Sequence, residues 1–160
     1  MAKGSKGFSL IELLIVVAII LIIAAIAIPN FMRSRIAANQ ASAVASLHTL
    51  TIAEATYAST YGQGFSANMA SLTQPAAGAD VSSTAAGLID SVLASGAKSG
   101  YSFTYSAGPV DSTERINIYS FSGTPRSNLT GIQYYFVDAS GVVRQNSNSP
   151  AGSTDSPVGN

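Results

Sequence analysis

An uncharged apolar run close to the N-terminus constrains the fold of this chain more than any other feature. The run extends from Leu13 to Ile28, and counted from Phe8 the segment has 21 residues with a single charge. About 20 such residues in a helix span a hydrocarbon core of ~30 Å. Because a helix is the only open single segment that satisfies its own backbone groups in lipid, the run predicts a membrane-spanning helix.

The single charge in this segment is the acid Glu12, which a simple membrane anchor does not require. An acidic side chain near the centre of a spanning helix costs roughly 2.5–3.5 kcal/mol, so intramembrane ionisable groups usually serve a purpose. The residues before the run are also specific, because a short segment with Lys3 and Lys6 ends in Gly7 and is followed by Phe8. Glu12 is the fifth residue counted from Phe8 and is predicted to need a partner for its charge.

The order of these features differs from that of an ordinary signal peptide or signal anchor. A secretory signal peptide has positive residues, then about 7–15 apolar residues, and then a small-residue cleavage site. Here the glycine precedes the apolar stretch. Ala25 and Ala27 imitate a small-residue site, but Pro29 and Phe31 follow directly, and a signal peptide leaves Glu12 unexplained.

The combination of Gly7, Phe8 and Glu12 resembles the cleavage and methylation segment of type IV prepilins and of the related secretion pseudopilins. The resemblance is specific over residues 6–30 and only architectural in the C-terminal half. It implies that a membrane-embedded aspartyl prepilin peptidase cuts between Gly7 and Phe8 and N-methylates the new amino terminus of Phe8. It also implies assembly roles for Glu12 and Pro29, since in that family the helix before this proline loses helicity inside filaments.

Composition argues against several other classes of function. The formal net charge is zero and the charges are scattered, so no direct nucleic-acid site is predicted. Cysteine is absent, so packing and hydrogen bonds must hold the C-terminal region that many type IV pilins close with a disulfide. His48 is the only histidine, which rules out a cluster of histidine metal ligands and a Cys/His nucleophile.

The acidic residues of the C-terminal half also fail to form a recognisable site. Asp111 and Glu114 flank a polar turn, without an identifiable cleft for paired catalytic carboxylates. Asp138 and Asp155 are too isolated to supply the roughly six to eight oxygen ligands that calcium requires. We therefore expect a protein that is not an enzyme and that has no cofactor and no metal site.

Beyond the apolar run a helical pattern continues to about residue 61. Pro29 removes one amide donor and predicts a kink or local melting over residues 25–29. Farther on, two rows of residues repeat every seven positions and together form one stripe that would pack on a globular domain. The rows are Ile36, Ala43, Leu50 and Tyr57, and Gln40, Leu47, Glu54 and Tyr61. Gly62 and Gly64 are predicted to end the helix.

Glu54 interrupts this stripe and has two interpretations. The favoured one is a carboxylate that accepts hydrogen bonds from backbone amides of the covering domain, because buried charges need partners. The alternative is a salt bridge between subunits that involves Arg33 or Arg35.

The C-terminal half predicts a loop followed by a sheet. Residues 65–100 are rich in small polar residues and predict a surface connection with a helical turn at 68–72 and a helix at 84–95. Tyr101, Phe103 and Tyr105 alternate with polar residues, which predicts a strand with one buried face. Further strands are predicted over residues 115–122, 132–138 and 142–145. A turn at 138–141 predicts that the last two form a hairpin.

The predicted fold class is α+β, with a long N-terminal α-helix on a roughly four-stranded antiparallel sheet. The apolar half of the helix is expected to protrude and to kink near Pro29. The predicted organisation is a leader peptide over residues 1–7, a transmembrane and filament-core helix over 8–34, and a globular pilin head over 35–160. The head comprises the C-terminal half of the helix, a variable loop at 62–100, the sheet at 101–145 and a mobile or surface-draped polar tail at 146–160.

Together with the apolar segment and Glu12, the resemblance implies a structural subunit of an extracellular type IV pilus-like filament. The expected partners are further copies of the chain in a helical homo-oligomer, the prepilin peptidase and methyltransferase, and the pilus assembly machinery of the inner membrane. The expected location is the inner membrane, crossed once, before assembly and the extracellular pilus afterwards. Adhesion, motility or DNA uptake would belong to the filament. Two alternatives stay open: a pseudopilin of a type II secretion system, and a signal-anchored periplasmic binding module.

Overall fold

The structure is a computed structural model that describes residues 7–159. Lys3 and Lys6 of the predicted leader, and Asn160 at the end of the predicted tail, lie outside the described residues. The chain divides into two compact units, with the boundary between Arg35 and Ile36. The long helix α1, Leu10–Tyr61, contributes residues to both units.

The first unit consists mainly of the apolar part of α1. The most apolar 18-residue window of this helix has a mean hydropathy of 3.3, and none of that window is buried. By length and composition, α1 is the one helix among residues 7–159 that is suited to cross a membrane. Helix continues through Pro29, so the predicted local melting is absent from this single chain, and the kink stays a prediction.

The second unit is an α+β domain, and this confirms the predicted fold class. One face of α1 is buried, with Ala43, Leu47, Leu50 and Tyr57 of the predicted stripe at 4 % exposure or less. These residues share one core with aromatic side chains of the sheet, among them Tyr101 and Phe121, which are both fully buried. Burial of each such large apolar side chain contributes about 1.5–3 kcal/mol, so the stripe and the sheet stabilise each other. The helix ends before Gly62, as predicted, and Gly62 takes a positive φ of 65°.

The sheet has six antiparallel strands in sequential order, two more than predicted. They are β1 Ala97–Lys98, β2 Tyr101–Ala107, β3 Tyr119–Pro125, β4 Tyr134–Asp138, β5 Arg144–Asn146 and β6 Ser156–Pro157. The additional strands, β1 and β6, are two-residue edges that carry no periodic pattern. The hairpin between β4 and β5 is confirmed, with Gly141 at a φ of 74° in its turn.

Strand β3 begins at Tyr119 rather than at residue 115, because residues before Tyr119 bond to other segments. Ile116 forms bridges with both Val110 and Gly64, and its carbonyl accepts the Phe65 amide at 2.8 Å. A side-chain carbon at Gly64 would collide with the Ile116 carbonyl, so only glycine permits this approach. The segment before Tyr119 therefore ties the end of the long helix to the sheet.

The helix predicted over residues 84–95 is mostly wrong. Only α2, Ser91–Ala94, is helical, and the Asp90 side chain caps it by accepting the Leu93 amide at 2.7 Å. The preceding amides instead bond to carbonyls of the neighbouring 3₁₀ turn, Met69–Leu72, and of the residue after it. The bonds run from Ala86 to Ser71, from Gly87 to Thr73, and from Leu88 and Ile89 to Leu72. The 3₁₀ turn itself confirms the predicted helical turn at 68–72.

The polar tail is anchored to the sheet. Asp155 accepts the Asn146 side-chain amide at 3.0 Å with one carboxylate oxygen and the Gly152 backbone amide at 2.8 Å with the other. Arg144 donates to the Asp155 carbonyl at 2.8 Å, and Ala151 is only 9 % exposed. These bonds close the loop between β5 and β6 in a chain that has no cysteine.

Candidate assembly and processing site

The predicted processing residues lie on an exposed segment before the helix. Gly7 and Phe8 have no regular secondary structure, and Phe8 is 73 % exposed. A side-chain carbon at Gly7 would have no atom within 4 Å. Among residues 7–159, the segment on the C-terminal side of the bond between Gly7 and Phe8 is exposed.

Glu12 lies in the first turn of α1 and has a partner in its own chain. Its Oε2 atom accepts the Ser9 backbone amide at 2.9 Å, and the Ser9 carbonyl accepts the Leu13 amide at 3.2 Å. Ser9 thus stands at the N-cap and Glu12 three residues later, where a carboxylate reaches back to the N-cap amide in a capping box. A negative charge is also favourable at this end of the helix dipole.

The capping role was missed at the sequence level, although the signal was legible. The residues Ser9-Leu10-Ile11-Glu12 match the pattern of Ser or Thr followed three residues later by Glu or Gln. One carboxylate oxygen meets the Ser9 amide, while Oε1 accepts no hydrogen bond from any residue that the structure describes. Glu12 can therefore cap its own helix and still offer an oxygen to a second group.

The apolar side chains that follow Glu12 have no cover in the single chain. From Leu10 to Ile28 the large aliphatic side chains are 44–75 % exposed. A soluble monomer rarely exposes a contiguous apolar surface of this extent, and such surfaces mark membrane or protein contacts. Pro29 and Phe31 extend this surface, and Phe31 is 67 % exposed.

Glu54 is separate from this surface, and the favoured interpretation of it is confirmed. The side chain is fully buried and accepts hydrogen bonds from the amide and hydroxyl of Ser66. Burial raises the pKa of Glu54, while the two Ser66 hydrogen bonds act in the opposite direction. A buried carboxylate with internal donors is not available to Arg33 or Arg35 of another subunit.

The other titratable residues singled out from the sequence lie at separate places within residues 7–159. His48 is exposed on the helix. Asp111 accepts four hydrogen bonds from its own loop, from Thr113, Arg115 and Asn117. The bond from the Thr113 hydroxyl is the largest cause of its lowered pKa. Within residues 7–159 no group of three or more His, Cys, Asp and Glu side chains is arranged to hold a metal ion.

The N-terminal segment is similar to segments of known proteins. A model described as the prokaryotic N-terminal methylation motif matches residues 2–28. The chain is 49 % identical over 53 residues to the type IV major pilin protein PilA of Myxococcus xanthus, a match that covers 33 % of this chain and 24 % of that protein. It is 52 % identical over 46 residues to the type IV wide pilus major component PilA4 of Thermus thermophilus, over 29 % of this chain and 35 % of that protein.

The similarity is confined to part of each chain. The matched region spans between a quarter and about a third of the length of these relatives. No solved structure gives a significant match. The apolar surface, the acid in the first turn and the family match all fall on the N-terminal part of the chain. The chain carries the prokaryotic N-terminal methylation motif in its N-terminal segment and is similar there to type IV major pilins.

Proposed function

We propose that this chain is the structural subunit of an extracellular type IV pilus-like filament. The precursor resides in the inner membrane, and its segment from Phe8 to Ile28 spans the bilayer. Prepilin peptidase cuts between Gly7 and Phe8 and methylates the Phe8 amine. The inner-membrane assembly machinery then moves the subunit from lipid into a helical homo-oligomer.

The uncovered apolar surface of α1 is the observation that carries this proposal. Its aliphatic side chains from Leu10 to Ile28 remain 44–75 % exposed in the single chain. Complete burial of one such side chain is worth about 1.5–3 kcal/mol relative to water, so the segment must stay in lipid or pack against other helices. Packing against copies of itself satisfies this requirement outside the membrane. The core of the filament therefore consists of these apolar helices.

Glu12 supplies the register in this scheme. The oxygen that Ser9 leaves free faces a charge partner from the neighbouring subunit, the Phe8 amine that cleavage creates. At ~4 Å and an effective dielectric of 20 this attraction is about 4 kcal/mol before desolvation. Apolar burial provides most of the assembly energy, and the ion pair selects one stagger between neighbouring helices. Pro29 provides the point at which the helix can loosen on assembly.

The test is to shear surface filaments from producing cells, image them and identify their subunit by mass spectrometry. We expect extended filaments composed of this chain, which disappear when its gene is deleted. A type II secretion pseudopilin would instead leave the cells without such filaments and impair protein secretion when deleted. A signal-anchored binding module would affect neither. Filaments that persist without this chain would contradict the proposal.

A further inference from the structure

The outward face of the sheet carries an open pocket of about 510 Å³. Its floor is a row of three polar side chains in register across neighbouring strands, since Ser106 pairs with Ser120 and Ser120 pairs with Asp138. Side chains alternate between the faces of a sheet, and the residues next to this row, such as Phe121 and Val137, are buried in the core. The row therefore points away from α1, into a space of the size that small molecules occupy in proteins, about 300–1,000 Å³.

Two apolar side chains form the walls of this pocket. Ile118 and Phe136 each lie two residues from a floor residue, on the same face of the sheet. Ile118 is 57 % exposed and lies over Gly108, where any side-chain carbon would collide with it. The glycine thus gives Ile118 room beside the floor. An aliphatic wall and an aromatic wall enclose a polar floor.

The charge of the pocket comes from Asp138. Its Oδ1 atom accepts the Ser140 backbone amide at 2.9 Å, whereas Oδ2 accepts no bond from residues 7–159. Hydrogen bonds from Ser140, and to a smaller extent the nearby Arg144, hold the pKa of Asp138 below its usual range, so the group is ionised at neutral pH. The lining residues include no lysine, arginine or histidine. Ser140 and Ser153 add further hydroxyl groups at the rim.

We propose that this pocket binds a neutral sugar or an amino sugar. A pyranose presents hydroxyl groups and C–H surfaces on different sides, which matches a polar floor between apolar walls. The free oxygen of Asp138 accepts a sugar hydroxyl or ammonium group in a charge-assisted hydrogen bond, and the Ser106 and Ser120 hydroxyls donate or accept. The only charged group among the lining residues is a carboxylate, and the neighbouring Arg144 already donates to the Asp155 carbonyl. The pocket therefore discriminates against uronic acids, sialic acids and sugar phosphates.

The expected affinity is that of a shallow site for a small ligand. If each non-hydrogen atom of a monosaccharide contributes a binding free energy at the low end of the usual range, the Kd is on the order of 1 mM. Repetition of the site on many identical subunits would raise the avidity for a polysaccharide. The site lies wholly within the second unit, so it does not depend on filament formation.

Saturation-transfer NMR on the purified full chain tests this proposal. The chain is held in a detergent without a sugar headgroup, and the probes are methyl β-D-glucopyranoside, methyl β-D-galactopyranoside, D-glucosamine and D-glucuronate. We expect transfer to at least one of the first three probes and none to glucuronate. The measurement is made on dispersed subunits, so its failure is distinguishable from a failure to form filaments.

Two pocket variants and one matched control locate the site. Asp138→Asn removes the charge and should weaken sugar binding about tenfold or more, the effect of one lost hydrogen bond to a charged group. Ser120→Ala removes one floor hydroxyl and should weaken sugar binding about two- to tenfold, the effect of one lost neutral hydrogen bond. Thr124→Ala removes a hydroxyl from the same strand outside the pocket and should bind as the wild type does. Circular dichroism checks that each variant retains its sheet. Equal binding by all three variants, equal binding of glucuronate, or no transfer from any sugar would overturn the proposal.

Discussion

The Glu54 carboxylate accepts two hydrogen bonds from a single residue, Ser66: one from the backbone amide at 2.8 Å and one from the hydroxyl at 2.6 Å. The same hydroxyl lies 3.1 Å from the Asn68 carbonyl, and Tyr105 donates to the Ser66 carbonyl at 2.6 Å. When Glu54 gains a proton it can donate to the Ser66 hydroxyl, which then donates to Asn68. The buried site accommodates both protonation states and joins the helix to the loop that follows it.

The raised pKa of Glu54 predicts that stability falls as pH rises. The unfolded chain releases this proton near the ordinary value of 4.5, before the folded chain does, because burial disfavours the charged form. The contribution is therefore full below pH 4.5 and is lost as pH rises through the folded pKa. Glu54→Gln imitates the protonated acid, so its unfolding free energy should lack this decline. Urea unfolding of the full chain in detergent, repeated across the pH range, measures both slopes.

A matched control for this experiment is Asp80→Asn, which removes an exposed carboxylate and leaves Glu54 in place. Three tyrosines face Glu54, and their raised pKa values keep them neutral in the same range; these are Tyr57, Tyr105 and Tyr119. A Gln variant that keeps the wild-type slope would show that another group is responsible.

The hydrogen bonds that Asp155 accepts are predicted to stabilise the C-terminal tail. Asp155→Ala removes the acceptors for Asn146 and Gly152, and bonds to a charged acceptor contribute about 1.5–3 kcal/mol. We expect a loss of up to about that size, together with faster amide hydrogen exchange at Val158, whose amide bonds to Val143 at 2.9 Å. The exposed Asp80→Ala variant serves as the control. Unchanged exchange at Val158 would show that the strands hold the tail without this side chain.

Much of the fold was predictable because its buried side chains recur at the period of a helix or of a strand. The stripe on the long helix repeats with the helical period, and the residues that it marks, such as Leu47 and Leu50, are fully buried. Alternation in the same way identified β2, in which Tyr101 and Phe103 face the core. Even the buried acid was predictable, because Glu54 interrupts an apolar row and a buried charge must have donors.

The rest depends on contacts between distant segments, which leave no period in the sequence. The segment from Ala86 to Ile89 has apolar residues on both sides of Gly87, yet its amides bond to carbonyls of residues 71–73, and Gly87 takes a φ of 69°. The pocket on the sheet arises only when three strands align Ser106, Ser120 and Asp138. By contrast, the cap formed by Ser9 is local and was readable from the sequence.

The exposed bond after Gly7 predicts a specific processing defect. A peptidase needs close access to the backbone, and glycine adopts conformations that bulky residues do not. Gly7→Val should therefore leave an uncut precursor, whereas the wild type should begin at Phe8. Intact-mass measurement of the membrane-extracted protein distinguishes the two. A wild-type protein that retains residue 7, or starts at any residue other than Phe8, would contradict the predicted cleavage.

The division of the chain predicts that its second unit folds alone. Deletion of residues 1–34 removes the uncovered apolar surface but keeps the buried helix face from Ala43 to Tyr57 and all six strands. We expect a soluble monomer with its sheet intact and with a cooperative unfolding transition. Size-exclusion chromatography and circular dichroism provide the measurements. Aggregation, or loss of the β signal, would show that the apolar helix is required for the fold of the head.

The capping box formed by Ser9 and Glu12 makes a sharp test of the charge of Glu12 possible. Glutamine serves at the third position of a capping box as glutamate does, so Glu12→Gln should keep the bond to the Ser9 amide while the charge is removed. Glu12→Ala removes both. If the charge pairs with the Phe8 amine of a neighbouring subunit, both variants should form few or no filaments, because an unpaired buried charge costs about 3–5 kcal/mol at each addition.

The two variants separate this role from helix capping. Both should be cleaved and should accumulate in the membrane, since neither changes Gly7 or the apolar run. Filament yield after shearing is measured beside the cleaved fraction of each variant. If the cap alone mattered, Gln would give wild-type filaments and only Ala would fail, because the Gln side chain preserves the first turn. If cleavage itself failed in the Gln variant, the charge of Glu12 would act on the peptidase. Few filaments from fully cleaved Gln subunits is the result that assigns the charge to assembly.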